Sequence, residues 1–80
     1  MREKLAVSEK TIDLKGLKCP LPALRTRKVL VSLASGSVLI VECTDPLTAI
    51  DIPNLVRETG DTIEDISRVK DLLRFRIRKR

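Results

Sequence analysis

Thr11-Ile12-Asp13-Leu14-Lys15-Gly16-Leu17-Lys18-Cys19-Pro20-Leu21-Pro22 decides how the chain is read. Its first five residues alternate: Ile12 and Leu14 point one way, Thr11, Asp13 and Lys15 the other, which is the period of a half-buried strand. Gly16 ends that strand. A helical pattern begins at Pro20, where a proline is tolerated because its missing N–H has no intrahelical partner anyway. Cys19 therefore falls at or beside a helix N-cap. A helix N-terminus carries partial positive charge from its unpaired N–H groups. A thiolate placed there is stabilised, so the sequence predicts a lowered thiol pKa and a better-populated nucleophile. Pro20 and Pro22 stiffen the turn and remove two donors, leaving the Leu21 amide as the N–H expected to face the sulfur. The plain alternative is that Cys19 is a small buried apolar residue and that Pro-x-Pro merely starts a helix.

Working outward, residues 20–34 read as a helix. Ala23, Thr26, Leu30, Leu33 and Ala34 form its packing face, opposite Arg25, Lys28 and Ser32. Gly36 is its expected stop. Residues 37–43, Ser-Val-Leu-Ile-Val-Glu-Cys, have the apolar, β-branched character of a buried central strand. Strand, helix and strand make a right-handed βαβ unit with parallel strands. After the turn Thr44-Asp45-Pro46, residues 47–59 read as a second helix, with Asp45 or Thr48 as cap. Ala49, Ile52, Leu55, Val56 and Thr59 form its apolar face. Pro53 is expected to kink it, or to limit it to a short first turn and a restart.

Gly60-Asp61 closes that helix. Strands at 62–69 and 72–78 then form an antiparallel hairpin around Lys70-Asp71. In the last strand Leu73, Phe75 and Ile77 oppose Arg74, Arg76 and Arg78. Residues 1–9 read as a flexible tail before a single domain at 10–80. The order βαβαββ predicts an α/β (α+β) two-layer sandwich: a mixed four-stranded sheet with two helices on one face and the arginine row on the other. Ligands in open sheets favour the carboxyl ends of parallel strands. Cys19 follows the first strand there, and Cys43, Thr44 and Asp45 end the second.

Composition narrows the chemistry. The chain has 80 residues, two cysteines and no histidine. Two thiols cannot close a four-ligand metal site alone, and zinc sites using His are excluded. Cys-His nucleophile pairs and histidine acid–base catalysis are excluded as well. Two cysteines make no disulfide framework. No apolar run is long enough to span a bilayer, and the first residues lack the apolar core of a signal peptide, so a cytoplasmic protein with no membrane partner is expected. Net charge is +5 and the pI about 9.7, which suits an acidic partner or nucleic acid and specifies neither.

The chain resembles the TusA-like, or SirA-like, sulfur-carrier family. The resemblance rests on Asp13-Leu14, Gly16-Leu17, Cys19-Pro20-Leu21-Pro22, Arg27-Lys28, Gly36, Asp45-Pro46 and Asp51-Ile52-Pro53, and covers about residues 11–79. It implies a fold similar to the C-terminal domain of translation initiation factor three, in agreement with the patterning. It implies that Cys19 carries sulfur as a persulfide, taken from a cysteine desulfurase or rhodanese-like donor and passed to an acceptor protein. The family's routes include transfer-RNA thiolation, molybdenum-cofactor synthesis and sulfur oxidation. Such a protein is a carrier rather than a stand-alone turnover enzyme, and needs no metal or organic cofactor.

Gly16, Leu17, Pro20, Leu21, Pro22, Asp45, Asp51 and Pro53 are then site-shaping. Lys18, Arg27, Lys28, Arg74, Arg76 and Arg78 are candidate partner contacts. Cys43 lies outside the motif and reads as a buried strand residue or as a resolving thiol. Two alternatives stay open. One is a basic nucleic-acid-binding or regulatory module using Arg74 to Arg80; it is not favoured, because one phenylalanine and no tyrosine or tryptophan leave little for base stacking. The other is a Cys19/Cys43 thiol redox switch.

Overall fold

The computed structural model describes residues 8–80. Of the expected tail, residues 1–7 lie outside the described residues, whereas Glu9 already opens the first strand. The elements are β1 (Glu9–Leu14), α1 (Leu21–Ser32), β2 (Val38–Cys43), α2 (Thr48–Thr59), β3 (Thr62–Val69) and β4 (Leu72–Arg78). The sheet runs in the order β1-β2-β4-β3. β1 and β2 are parallel, with Leu14 beside Cys43, while β2–β4 and β3–β4 are antiparallel. This is the expected mixed sheet with two helices.

The core forms where the apolar face of the sheet meets the helices. Leu39 and Val41 of β2 and Leu73, Phe75 and Ile77 of β4 pack with Leu30 of α1 and with Ile52 and Val56 of α2. Each large side chain fully buried this way contributes about 1.5–3 kcal/mol relative to exposure. In α1 the deeply buried residues are Pro22, Thr26 and Leu30, four apart. α1 ends at Ser32 rather than at residue 34; Leu33 is already extended, and Gly36 lies in the following turn with φ 87.

α2 departs from expectation twice. It runs unbroken through Pro53. A proline there forfeits the bond to the carbonyl of Ala49, four residues earlier, and Ala49 is exposed, so water can serve that carbonyl. Thr48, not Ala49, faces inward. Its hydroxyl donates to the Asp45 carbonyl at 2.7 Å, which satisfies the polar atom. Residues 48, 52 and 56 then set the buried stripe.

The opposite face of the sheet carries the arginine row, as expected, but the row is paired. Arg76 bonds Glu9 at 2.9 Å and Glu64 at 3.1 Å. Arg78 bonds Glu64, and Arg74 lies 3.7 Å from Glu42. A register shift between Ile63 and Asp65 makes Glu64 the extra residue of a β-bulge. Glu64 thereby serves two arginines. Beneath these charges Ile40 is buried, the arginine stems covering apolar surface while their heads stay wet.

Candidate functional site

The site assembles at the carboxyl ends of β1 and β2. Gly16 turns the chain with φ 85, a conformation that favours glycine, and its N–H donates to Thr44 Oγ1 at 2.9 Å. The Leu17 N–H donates to the Leu14 carbonyl at 3.2 Å, and Leu17 packs on the core edge. These bonds bring the loop after β1 onto the loop after β2. Asp45 then fixes both loops. Its carboxylate accepts the Cys19 N–H at 2.7 Å and the Leu47 N–H at 3.0 Å. The residue is only 9% exposed. Those two amides, Leu47 first, with help from the Lys18 charge, hold its carboxyl below the usual range. Neither Asp45 nor Thr48 is the helix N-cap; Leu47 holds that position, with no side-chain cap bond.

The sulfur is exposed and its chemistry is the reverse of the sequence expectation. Cys19 Sγ donates to Asp51 Oδ2 at 2.9 Å. That bond, then desolvation and the charges of Asp51 and Asp45, raise the thiol pKa above its ordinary value. A carboxylate that accepts a thiol hydrogen favours the protonated sulfur. The helix N-terminus offers little to oppose it. Pro20 holds the N-cap position and Pro22 has no N–H, while the Leu21 N–H is spent on the Lys18 carbonyl at 2.8 Å. The Cys19–Pro20 peptide bond is cis.

A cleft of about 320 Å³ opens beside the thiol between α1 and α2, lined by Cys19, Pro20, Leu24, Arg27, Asp51 and Glu58, with Ala23, Asn54 and Leu55 completing the wall. Arg27 thus belongs to the site. Lys28 is exposed but does not line the cleft, and Leu21 is exposed at the helix start. Pro22 is buried and anchors that start from below. Pro53 lines a different groove, between α2 and β3. Arg74, Arg76 and Arg78 lie on the far face of the sheet, away from the sulfur. Cys43 is 0% exposed, within the core, and burial pushes its thiol up to about 11.

Sequence reasoning missed Leu24, Asn54, Leu55 and Glu58. Leu24 carried a signal. It falls outside the packing stripe of α1, yet it is apolar and 58% exposed at the mouth of the cleft. Leu47 and Ile50 are likewise exposed on the first turns of α2.

A family model described as sulfurtransferase TusA matches residues 10–79. The chain belongs to the TusA family. It is 35% identical to the sulfur carrier protein TusA of Allochromatium vinosum, covering 94% of this chain and 99% of that one. It is 36% identical to YrkI of Bacillus subtilis, named a candidate sulfur carrier, over 90% of this chain and 96% of that one. Among solved structures, a SirA-like protein of Desulfitobacterium hafniense shares the fold with a TM-score of 0.77 at 24% identity, over 86% of this chain and 95% of that one. Among the described residues, no helix of this TusA-family chain is long and apolar enough to cross a membrane.

Proposed function

We propose that this protein is a sulfur carrier that accepts sulfur as a persulfide on Cys19 from a donor protein and relays it to an acceptor protein. The observation that carries the reading is an exposed thiol in the Cys-Pro-Leu-Pro turn, at the rim of a cleft, in a chain that matches the TusA family from residue 10 to 79. In the loading step the Cys19 sulfur attacks the outer sulfur of the donor's persulfide. A new S–S bond forms as the donor's S–S bond breaks, and the donor cysteine leaves with the electron pair and takes a proton. An acceptor thiolate then attacks the outer sulfur on Cys19, and Cys19 leaves with the electron pair of the broken S–S bond and takes a proton from water. Neither step changes the overall oxidation level, so no oxidant or reductant is required. A rim position suits a cargo that must leave as readily as it arrives.

Gly16, Leu17, Pro20, Pro22 and Asp45 hold the thiol in place in this reading, and Lys18, Leu24 and Arg27 meet the partner. A cysteine desulfurase or rhodanese-like protein is the donor class. Transfer-RNA thiolation, molybdenum-cofactor synthesis and sulfur oxidation are the candidate destinations. The redox-switch alternative fares worse, because Cys43 is sealed in the core. Direct nucleic-acid binding fares worse as well, because the arginine row is already paired with Glu9, Glu42 and Glu64.

The test is intact mass after incubation with a cysteine desulfurase, cysteine and pyridoxal phosphate, without reductant. Wild type, Cys19→Ser and Cys43→Ser are run together. A gain of one sulfur, about 32 Da, reversed by dithiothreitol and lost only in Cys19→Ser, is expected. No gain with any of a panel of desulfurases and rhodaneses overturns the reading. A loss of two hydrogens that needs both cysteines puts the redox switch in its place.

A further inference from the structure

We propose that Asp51 is a latch on the carrier thiol: its carboxylate accepts the Cys19 hydrogen and keeps the proton on sulfur until a donor's persulfide is in place. The inference rests on Cys19 being the sulfur-bearing residue and adds a regulatory role for a side chain on another element. Asp51 sits on the first turns of α2, half-buried, 32 positions along the chain from Cys19, with its Oδ2 2.9 Å from Sγ. Among the described residues Asp51 forms no ion pair, so its charge is directed at the thiol rather than neutralised elsewhere.

The charged groups around the sulfur come from four elements. Lys18 lies on the turn before α1, Arg27 on α1, Asp45 on the β2–α2 loop, and Asp51 and Glu58 on α2. Lys18 acts on Asp45. The two groups that act on the sulfur are Asp51 and Asp45, and both favour the protonated form. The resting site therefore favours the thiol over the thiolate, although the sulfur is open to solvent. The thiolate is also the form that attacks peroxide and stray disulfides. The latch keeps the carrier unreactive toward them.

The loading step has a definite proton path under this arrangement. As Sγ bonds the outer sulfur of the donor persulfide, its proton passes to Asp51 Oδ2. The donor cysteine, leaving as thiolate, takes that proton up. The loaded persulfide, Cys19–S–SH, releases its proton to water, and the resulting Cys19–S–S⁻ has no hydrogen to donate to Asp51. A carboxylate then faces an anion, which disfavours retention of the cargo and helps its release to the acceptor.

The test is alkylation of Cys19 by iodoacetamide, followed by intact mass from pH 6 to 10 on wild type, Asp51→Asn and Asp51→Glu. Removing the carboxylate charge is expected to move the midpoint of the pH–rate profile down. More thiolate at pH 7, offset in part by the lower nucleophilicity of a more acidic thiol, leaves alkylation faster by about threefold. Asp51→Glu restores the wild-type profile. An Asp51→Asn profile that superimposes on wild type, or moves up, overturns the latch. A second measurement needs no variant. Read on the Cys19 peptide after proteolysis, which separates it from Cys43, the native midpoint is expected above that of the guanidinium-unfolded chain, and a native midpoint at or below it also overturns the latch. Alkylation uses no sulfur donor, so failure of the latch and failure of the carrier reading are separately visible.

Discussion

Thr26 lies in the centre of α1 with no exposed surface, and among the described residues its hydroxyl oxygen has no hydrogen-bond partner. A buried hydroxyl without a partner costs about 1–3 kcal/mol. Thr26→Val keeps the shape of the side chain and replaces the hydroxyl with a methyl group. Threonine and valine have similar helix propensities, so the backbone contribution cancels. The expected result is a stabilisation of about 1–2 kcal/mol, after allowance for the slight size change. In a domain of this length each kcal/mol moves Tm by about 4–8 °C, which gives a rise of about 5–15 °C. The assay is urea unfolding followed by circular dichroism, with m unchanged and the midpoint raised. Thr26→Ala is the control. It removes the methyl as well and leaves a cavity, so it is expected to fall below Thr26→Val by about 1–2 kcal/mol. A Thr26→Val midpoint at or below wild type refutes the reasoning, because the hydroxyl would then be satisfied in solution.

Two further outcomes follow from the charges and the core. Asp45 and Glu64 both have carboxyl pKa values below their ordinary ones, through backbone amides and through Arg78 and Arg76 respectively. A folded-state value below the unfolded one adds stability that is fully present above the unfolded pKa of about 4 and is lost as pH falls through the folded value. The urea midpoint is therefore expected to be level from pH 5 to 8 and to drop below about pH 4, with a shallower drop in Asp45→Asn; equal slopes in the two proteins count against the Asp45 role. Cys43, raised to about 11 and sealed in the core, is expected to add no iodoacetamide to native protein at pH 8 and one adduct on unfolding in guanidinium. Two adducts on the native chain count against the burial.

The elements and their order were legible because each signal is local. The apolar run at 38–43, the alternation of Leu73, Phe75 and Ile77, and Gly60 at a left-handed helix end depend on near neighbours only. What failed depends on contacts between distant segments. Thr48 faces inward only because the Asp45 carbonyl takes its hydroxyl. α2 passes through Pro53 because the deprived carbonyl belongs to an exposed residue. The largest miss was the direction of the Cys19 pKa. A helix start lowers a thiol pKa in general, but two prolines and a spent Leu21 amide silence that effect here. Asp51, far along the chain, then decides the outcome. The arginine row was placed on the correct face, yet its neutralisation by Glu64 depends on a bulge that has no sequence signature.

The bonds that define the Cys19 environment span 26 and 32 positions of the chain. Both close only after β2 has docked beside β1 and α2 has settled on the sheet. A nascent or partly folded chain therefore carries an ordinary, more acidic cysteine, and the restrained one exists only once folding is complete. Under the latch, this thiol is more reactive in an unfolded chain than in the folded one. Oxidative damage at Cys19 should accordingly track the population of unfolded chains, so that each stabilising substitution in the core, however far from the sulfur, also protects it.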